Sequence, residues 1–341
     1  MNMKATIFLF WLLFITGFRL KAQVSMPDSV KSFLDKSMDI VQANSINRDS
    51  VDWPDLRRLI YQKAAGGKSY EDILLVYPYL FEQIGDHHGA LKFKGKSYYW
   101  KHSAPYHNQT VIAAVKMYDT VIVKMLSGNI GYILLPGNND FSAQHIDDDS
   151  QKIRDAIAAV DNKNVKGWII DLRVNTGGNM YQMLAGLGNL LGDGKIGAFV
   201  NQHGQQDGIW SIRNGNIYID SAQASKITSV KREGNKIVPI AVLISGRTAS
   251  SGEVVAISFV GRKKAVLIGE NSAGYTTANQ GFIINKDAGL NLAIGFDADR
   301  LGYIYKGNIS PNILIEGGDD FENLDNDKKV SAARKWILKT R

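Results

Sequence analysis

The sequence of 341 residues contains no cysteine, and this absence excludes disulfide bonds, a cysteine nucleophile and thiolate metal sites. It also lacks an apolar run of about 20 residues, the length that a membrane-spanning helix needs. Its net charge of +7 comes without a run of basic residues, so nucleic-acid binding is not favoured. Hydrophobic residues make up 45% and charged residues 21% of the chain, which excludes wholesale disorder and indicates a folded protein.

The N-terminus has the pattern of a secretory signal. Lys4 precedes a 14-residue apolar run at 5–18, too short to span a bilayer but suited to the apolar region of a signal peptide. Ala22 and Gln23 offer a small-residue cleavage site, and no cysteine follows that could carry a lipid anchor. We therefore expect residues 1–23 to be removed and the mature protein to be periplasmic or extracellular. A short N-terminal anchor helix is the alternative.

The remaining chain divides by pattern into two parts. Residues 24–91 show apolar spacing typical of helices, with a helix start at Asp52 and a stop near Gly66, and predict a three-helix domain. Residues 92–341 alternate buried strands with helices and predict an α/β core with β-hairpin decoration.

Within the second part, short apolar or β-rich runs predict strands and two runs predict helices. The predicted strands are 97–100, 110–118, 121–125, 131–135, 168–172, 238–245 and 265–268, and the predicted helices are 180–191 and 250–260.

Ser250 stands where a predicted buried strand passes through small residues into a helix. At such a turn the hydroxyl can project into a cleft, and unpaired N–H groups of the first helical turn point the same way. This position suits a nucleophile and a developing oxyanion. The alternative is that Ser250 only caps the helix, with Glu253 completing a capping box.

A second strand end carries a glycine-rich loop. Gly177 and Gly178 can bring bare backbone N–H groups close to a ligand, so they are candidates for an oxyanion hole. Asp171 and Arg173, at the end of the strand before them, are expected to brace the loop. A phosphate-binding loop is the rival interpretation, but the lysine of a Walker motif is missing.

Together these segments resemble the signature blocks of the tail-specific (carboxy-terminal processing) and tricorn-type serine peptidases. The blocks are residues 171–178 (DLRVNTGG), 248–253 (TASSGE), 269–274 (GENSAG) and the closing block 302–312 (GYIYKGNISPN), which in the family usually ends in Pro-Asp. The resemblance covers roughly residues 91–315. It implies a ClpP/crotonase-like mixed sheet flanked by helices, and serine peptidase activity that requires no metal or organic cofactor.

The resemblance also assigns roles to residues. By family position Ser250 is the nucleophile, and the Ser251 amide shares the oxyanion hole with Gly177 or Gly178. The tail-specific branch often inserts a PDZ domain before the catalytic core. Only a few tens of residues separate the helical region from the core strands here, so we expect no PDZ domain.

The general base distinguishes the two branches of this family. The tail-specific branch uses a lysine where Tyr275 stands here, and residues 265–285 contain none. The tricorn-like branch uses a histidine after the N-terminal helices, and residues 85–89 read GDHHG at that place. His88 aligns best and His87 is the second choice, so the chain is closer to the tricorn-like branch. A surface pair that caps a helix end is the structural alternative, and the pair alone does not indicate a zinc site.

A catalytic histidine needs a group that orients its ring. The tricorn-like branch supplies a glutamate from the closing block, whereas the matching place here holds Tyr305 or Lys306. Asp86, Asp297, Asp299 or a tyrosine hydroxyl are the alternatives, or the relay is incomplete and activity is weak or absent.

The sequence therefore predicts an exported serine peptidase that acts on peptide or protein substrates through a Ser250 acyl-enzyme. One alternative is a non-catalytic protein that keeps the peptidase fold and binds peptides or other ligands. An esterase that uses the same site is the other. The oligomeric state is left open.

Overall fold

The computed structural model describes residues 26–102, 106–228 and 237–340. The predicted signal peptide, residues 1–23, lies outside these ranges.

The described ranges contain helices and strands in mixed order. The helices are α1 (Asp28–Asn44), α2 (Trp53–Ala64), α3 (Tyr70–Ile73), α4 (Val76–Gln83), α5 (Gln109–Met117), α6 (Ile146–Val160), α7 (Met180–Gly186), α8 (Gly188–Leu191), α9 (Ser251–Phe259) and α10 (Lys328–Lys339). The strands are β1 (Ala90–Phe93), β2 (Lys96–Tyr98), β3 (Ile122–Leu126), β4 (Ile130–Leu134), β5 (Gly167–Asp171), β6 (Gly194–Val200), β7 (Gln206–Arg213), β8 (Asn216–Ile219), β9 (Ala222–Gln223), β10 (Ile240–Ile244), β11 (Ala265–Gly269), β12 (Thr277–Asn285), β13 (Ala288–Asp299), β14 (Ile304–Tyr305) and β15 (Ile313–Leu314).

One sheet has the order β15-β11-β10-β5-β4-β3, and its neighbours are parallel except for the antiparallel pair β3 and β4. It is buried on both faces, which explains the continuous apolar runs of its strands. Ile170 and Val242 face the core shared with α6, α7 and α9, whereas Ile169 and Leu243 face the core shared with α10. Because β5 and β10 are parallel neighbours, the loops at their carboxyl ends lie side by side.

The second sheet is antiparallel, with the order β2-β1-β13-β6-β7-β8-β9, and β12 and β14 also pair with β13. Leu91 of β1 and Leu290 and Leu292 of β13 share one hydrophobic cluster with the helices α1 to α4. The chain segment that leaves α4 therefore runs against β12 and β13.

The mixed α/β class predicted from the sequence is confirmed, but the prediction of a strand over 110–118 is wrong. This segment is mostly the helix α5. Its N-cap is Asn108, whose side chain accepts a hydrogen bond from the Val111 N–H at 3.2 Å. Val111 and Ala114 are buried on one side of the helix. Capping and one-sided burial therefore override the β-branched composition that suggested a strand.

The third helix predicted in the N-terminal part is broken into α3 and α4. Pro78 lies in the first turn of α4 and has no N–H to donate to the Leu74 carbonyl. A single helix across this segment would therefore lose a backbone hydrogen bond, and the chain instead starts a new helix at Val76.

Candidate active site

Ser250 is the N-cap of α9, as its position in the sequence predicts. Its backbone has φ 52° and ψ −122°, in a region that side-chain-bearing residues rarely adopt. The Glu253 carboxylate accepts a hydrogen bond from the Ser250 N–H at 2.8 Å, and the Glu253 N–H donates to the Ser250 backbone oxygen at 2.7 Å. The turn is therefore strained and held from both ends, a combination found at functional sites.

Hydrogen bonds from the loop before Ser250 fix it to the loop that follows β5. The Thr248 hydroxyl donates to the Leu172 carbonyl at 2.8 Å, and the Ala249 N–H donates to the Asn175 carbonyl at 3.0 Å. The two strand-end loops thus form one unit, and Ser250 faces the glycine pair.

Gly177 and Gly178 both have positive φ, +107° and +116°. A Cβ atom on Gly177 would lie 2.9 Å from the Cβ of Ser250, and one on Gly178 would overlap the carbonyl oxygen of Asn138. Both positions therefore need glycine, the first because the Ser250 side chain approaches it closely.

The two glycines differ in what their N–H groups can do. The Gly177 N–H donates to the Asn175 side chain at 3.0 Å. Within the described ranges, the Gly178 N–H donates to no protein acceptor, and the Ser251 N–H belongs to the first helical turn, which has no intrahelical partner. The Ser251 hydroxyl donates to the Gly178 carbonyl at 2.5 Å and holds the two peptides together.

The histidine pair follows α4, and both side chains are half-buried. His88 lines both the Ser250 cavity and a neighbouring cavity. His87 lines the neighbouring cavity but not the Ser250 cavity, and its Nε2 lies 2.8 Å from the Gly274 carbonyl oxygen. Burial, with a smaller contribution from the neighbouring His87, lowers the pKa of His88 to about 4. The His88 imidazole is therefore neutral at physiological pH.

A neutral relay orients the His88 ring. The Thr277 hydroxyl donates to the Asn279 side-chain oxygen at 3.2 Å, so it accepts from His88 Nδ1, which lies 2.8 Å away. This arrangement puts the ring proton on Nδ1 and leaves the lone pair on Nε2. The Asn279 amide also donates a hydrogen bond to the His88 carbonyl at 3.1 Å, so Asn279 contacts both Thr277 and the His88 backbone.

None of the three acids considered from the sequence bonds to either imidazole within the described ranges. Asp86 accepts from three backbone N–H groups, including that of His88. Asp299 accepts from the Tyr305 hydroxyl at 3.2 Å, so that tyrosine does not orient the ring either. Asp297 is buried, and neither of its carboxylate oxygens has a partner in the described part of the chain. The group beside His88 Nδ1 is therefore the Thr277 hydroxyl, which was not among the alternatives drawn from the sequence.

Tyr275 makes aromatic contacts with the histidine pair. Its ring centroid lies 5.2 Å from that of His87 and 5.0 Å from that of His88. Its backbone N–H donates to the Glu253 carboxylate at 2.8 Å, so the same carboxylate holds both Tyr275 and the Ser250 turn. Burial raises the pKa of Glu253 to about 7.

Asp171 and Arg173 are buried and form an ion pair at 2.5 Å. Arg173 also contacts Asp319 at 2.6 Å and Asp327 at 2.7 Å. Neither Asp171 nor Arg173 lines the Ser250 cavity, and both lie next to the loop that carries the glycine pair. The bracing role of this pair stays a prediction.

The cavity beside Ser250 has a volume of about 800 Å³. Ser250, Ser251, Gly178, His88 and Asp297 are among the residues that line it. In the described ranges, no group of three or more histidine, aspartate or glutamate side chains is arranged to hold a metal ion. None of the described helices is both long and apolar enough to cross a bilayer.

Comparison with known proteins places the chain among peptidases. Residues 129–315 match the model of peptidase family S41, a range that includes both strand-end loops but not His88. The chain is 28% identical to the nisin-resistance protein of Lactococcus lactis subsp. lactis, over 89% of this chain and 88% of that protein. It is 26% identical to the carboxy-terminal processing protease CtpA of Bacillus subtilis (strain 168), over 62% of this chain but only 40% of that protein.

Two solved structures have a similar fold along most of their length. A lipoprotein from Streptococcus agalactiae superposes with a TM-score of 0.68 at 24% identity, covering 92% of this chain and 98% of that one. The photosystem II D1 C-terminal processing protease superposes with a TM-score of 0.55 at 13% identity, covering 89% and 96%.

Proposed function

Because the chain belongs to peptidase family S41 and is a serine-type peptidase, we propose that Ser250 is its nucleophile and His88 its general base. The observation that carries the proposal is that Ser250, His88, Gly178 and Ser251 line one cavity. The strained turn at Ser250 and the neutral, oriented imidazole of His88 support these roles.

The proposed reaction proceeds in two halves. Ser250 Oγ attacks the substrate carbonyl carbon while His88 Nε2 takes the hydroxyl proton, and the carbonyl oxygen becomes an oxyanion. His88 then gives the proton to the leaving amine, so the peptide bond breaks and an acyl-enzyme remains. Water attacks the ester with His88 again as base, which releases the acid and restores Ser250.

The N–H groups of Gly178 and Ser251 are the oxyanion donors that the geometry favours. Both are free of protein acceptors in the described ranges, whereas the Gly177 N–H is held by Asn175. Gly177 serves instead by leaving room for the nucleophile. An oxyanion-hole donor typically accounts for about 10²–10³-fold in rate. The bond from the Ser251 hydroxyl to the Gly178 carbonyl holds the two donor peptides together and is therefore part of the catalytic geometry.

A fluorophosphonate probe tests the nucleophile. We expect wild type to be labelled at Ser250 and Ser250→Ala to lose the label, whereas Ser310→Ala, an exposed serine outside this cavity, keeps it. Equal labelling of wild type and Ser250→Ala contradicts the assignment.

The base is tested with matched histidine variants. We expect His88→Ala to lower turnover by at least about a hundredfold and His87→Ala by much less, since general-base catalysis contributes about 10²–10⁴-fold. The reverse order of effects assigns the base to His87.

We further propose that residues 1–23 are a secretory signal, that residues 24–91 form the N-terminal helical domain and that residues 92–341 form the catalytic domain. The N-terminal sequence of protein recovered from the periplasmic or extracellular fraction should then begin near Gln23. A start at Met1 in that fraction contradicts the cleavage.

Peptides are the proposed substrates. The nisin-resistance protein aligns with this chain over 88% of its own length, more than the processing protease CtpA does, and nisin is therefore the first candidate substrate to test. Mass spectrometry of nisin after incubation with wild type and with Ser250→Ala distinguishes cleavage from degradation by a contaminant.

A further inference from the structure

The wall of the Ser250 cavity contains one buried carboxyl group that the proposed mechanism does not use. Asp297, on β13, is 1% exposed and lines this cavity. Neither of its carboxylate oxygens has a hydrogen-bond partner in the described part of the chain. Buried carboxylates in folded proteins are normally paired or hydrogen-bonded, so a group without either needs a functional explanation.

Among the residues that the structure describes, no cation forms an ion pair with Asp297. The charge that acts on it most is the negative Glu253, which lies below the Ser250 turn. The other ionisable groups on the cavity wall are the exposed Lys92 and Asp207, the neutral His88 and Tyr181, which is uncharged because burial raises its pKa. The buried side of the cavity therefore favours a positive charge.

The same cavity offers apolar surface next to this carboxyl group. Met180, Val254, Ile294 and Val200 are among its lining residues. A lysine or arginine side chain has an apolar stem and a cationic head, and a wall that combines these apolar side chains with Asp297 fits both parts.

We propose that Asp297 is a specificity-determining residue that binds the cationic head of a lysine or arginine side chain of the substrate near the scissile bond. The inference rests on the proposed function, because it takes the Ser250 cavity as the substrate site. The cation supplies the hydrogen-bond donors that Asp297 lacks within the described chain.

Binding of a cation at Asp297 should also depend on pH. Burial, together with the negative Glu253, raises the pKa of Asp297 well above its ordinary value. A bound cation stabilises the ionised carboxylate, so binding releases a proton and strengthens as the pH rises. His88 is neutral at pH values well above 4, because its pKa is lowered to about 4.

Paired peptide substrates test the preference. Each pair has blocked termini and differs only by lysine or norleucine at one position on either side of the cleaved bond. We expect wild type to show a kcat/KM ratio for lysine over norleucine of at least about tenfold at one position, the size expected for a buried charged hydrogen bond. In Asp297→Asn this ratio should fall towards one.

Asp207→Asn is the matched control, because it removes a negative charge from an exposed position on the rim of the same cavity. We expect its lysine-to-norleucine ratio to stay within about twofold of that of wild type. A wild-type enzyme without preference at any position, or an Asp297→Asn enzyme that keeps the wild-type preference, overturns the inference.

A ligand experiment on wild type covers the case in which Asp297→Asn does not fold. We expect n-butylamine to protect Ser250 from the fluorophosphonate probe better than n-butanol does, with protection that increases with pH. Equal protection by the two compounds overturns the inference. Absence of probe labelling at Ser250 instead overturns the proposed function, so the two failures are distinguishable.

Discussion

At the scale of single residues, the orientation of His88 by a neutral relay is the most informative feature of the site. A carboxylate behind a catalytic histidine stabilises the imidazolium that forms when the ring takes a proton. Thr277 and Asn279 fix the ring and its tautomer but add no charge. No negative charge on the relay offsets the effect of burial, which disfavours the protonated ring, and the pKa of His88 therefore falls to about 4.

This relay predicts the behaviour of Thr277→Val. Valine keeps the shape but cannot accept from Nδ1, so the ring loses its fixed tautomer, and we expect kcat to fall about tenfold to a hundredfold. Thr277→Ser should restore most of the rate. In wild type, kcat/KM for a substrate without a cationic side chain should hold as the pH is lowered to about 5 and decline only as it approaches about 4, since His88 is protonated there. With such a substrate, a wild-type acid limb above pH 6 contradicts the lowered pKa of His88.

The sequence predicts the serine and the histidine but not their relay. Ser250 and His88 occupy places at which the residue type itself indicates the chemistry. Thr277 and Asn279 are neutral residues of an ordinary strand, about 190 positions from His88 in the chain. Only the pairing of β12 with β13 beside the α4 end brings them to the ring, so no local pattern could have identified them.

At the scale of elements, the site depends on how closely the loops after β5 and β10 approach each other. The parallel pairing of these strands sets the separation, and Gly177 is the point of contact with Ser250. The alternation of buried strands and helices predicted the α/β core, and the resemblance to the peptidase blocks brought the glycine pair together with Ser250. It did not predict α5, whose cap and one buried side override its β-branched composition.

Gly177→Ala tests the close approach. The added Cβ would meet the Ser250 Cβ at 2.9 Å at a φ of +107°, so we expect loss of most activity and destabilisation by about 1–2 kcal/mol. Activity assays and thermal unfolding measure both effects. Gly281→Ala is the control, because its Cβ would meet nothing within 4 Å and its φ is not positive. Equal behaviour of the two variants contradicts a specific contact at Gly177.

At the scale of the whole molecule, a buried ion-pair network joins the C-terminal segment to the loop that follows β5. Lys329 at the start of α10 contacts Glu270 at 2.9 Å and Asp319 at 2.8 Å, and Asp319 also pairs with Arg173 beside the glycine loop. Breaking a buried pair by removing one partner is strongly destabilising, because the other charge is left uncompensated. The last helix is therefore connected to the site although it contributes no residue to the cavity.

The contribution of this network to folding stability increases with pH, whereas that of the carboxyl groups at the site decreases. The cations Arg173 and Lys329, with the hydrogen bonds to the carboxylates, hold the pKa values of Asp319 and Glu270 below their ordinary 3.8 and 4.5, against the effect of burial. The contribution of these two carboxylates to folding stability is complete above their ordinary pKa values. It is lost as the pH falls through their lowered pKa values in the folded protein. Burial raises the pKa values of Glu253, to about 7, and of Asp297. Because the folded protein then binds more protons than the unfolded chain, stability decreases as the pH rises from about 4.5 to 7.

Together these two opposite pH effects predict a maximum of folding stability on the acidic side of neutrality. They also predict that Asp297→Asn changes stability in a pH-dependent way. Asparagine removes a buried group that ionises more readily in the unfolded chain, so the variant should gain on the order of 1–2 kcal/mol at pH 8. The gain should shrink as the pH approaches 4, where the unfolded aspartate is itself protonated. Thermal unfolding of wild type, Asp297→Asn and the exposed control Asp207→Asn from pH 4 to 9 measures the difference. A variant that is less stable than wild type at pH 8 contradicts the raised pKa, because it shows that the Asp297 carboxylate is satisfied in the folded protein.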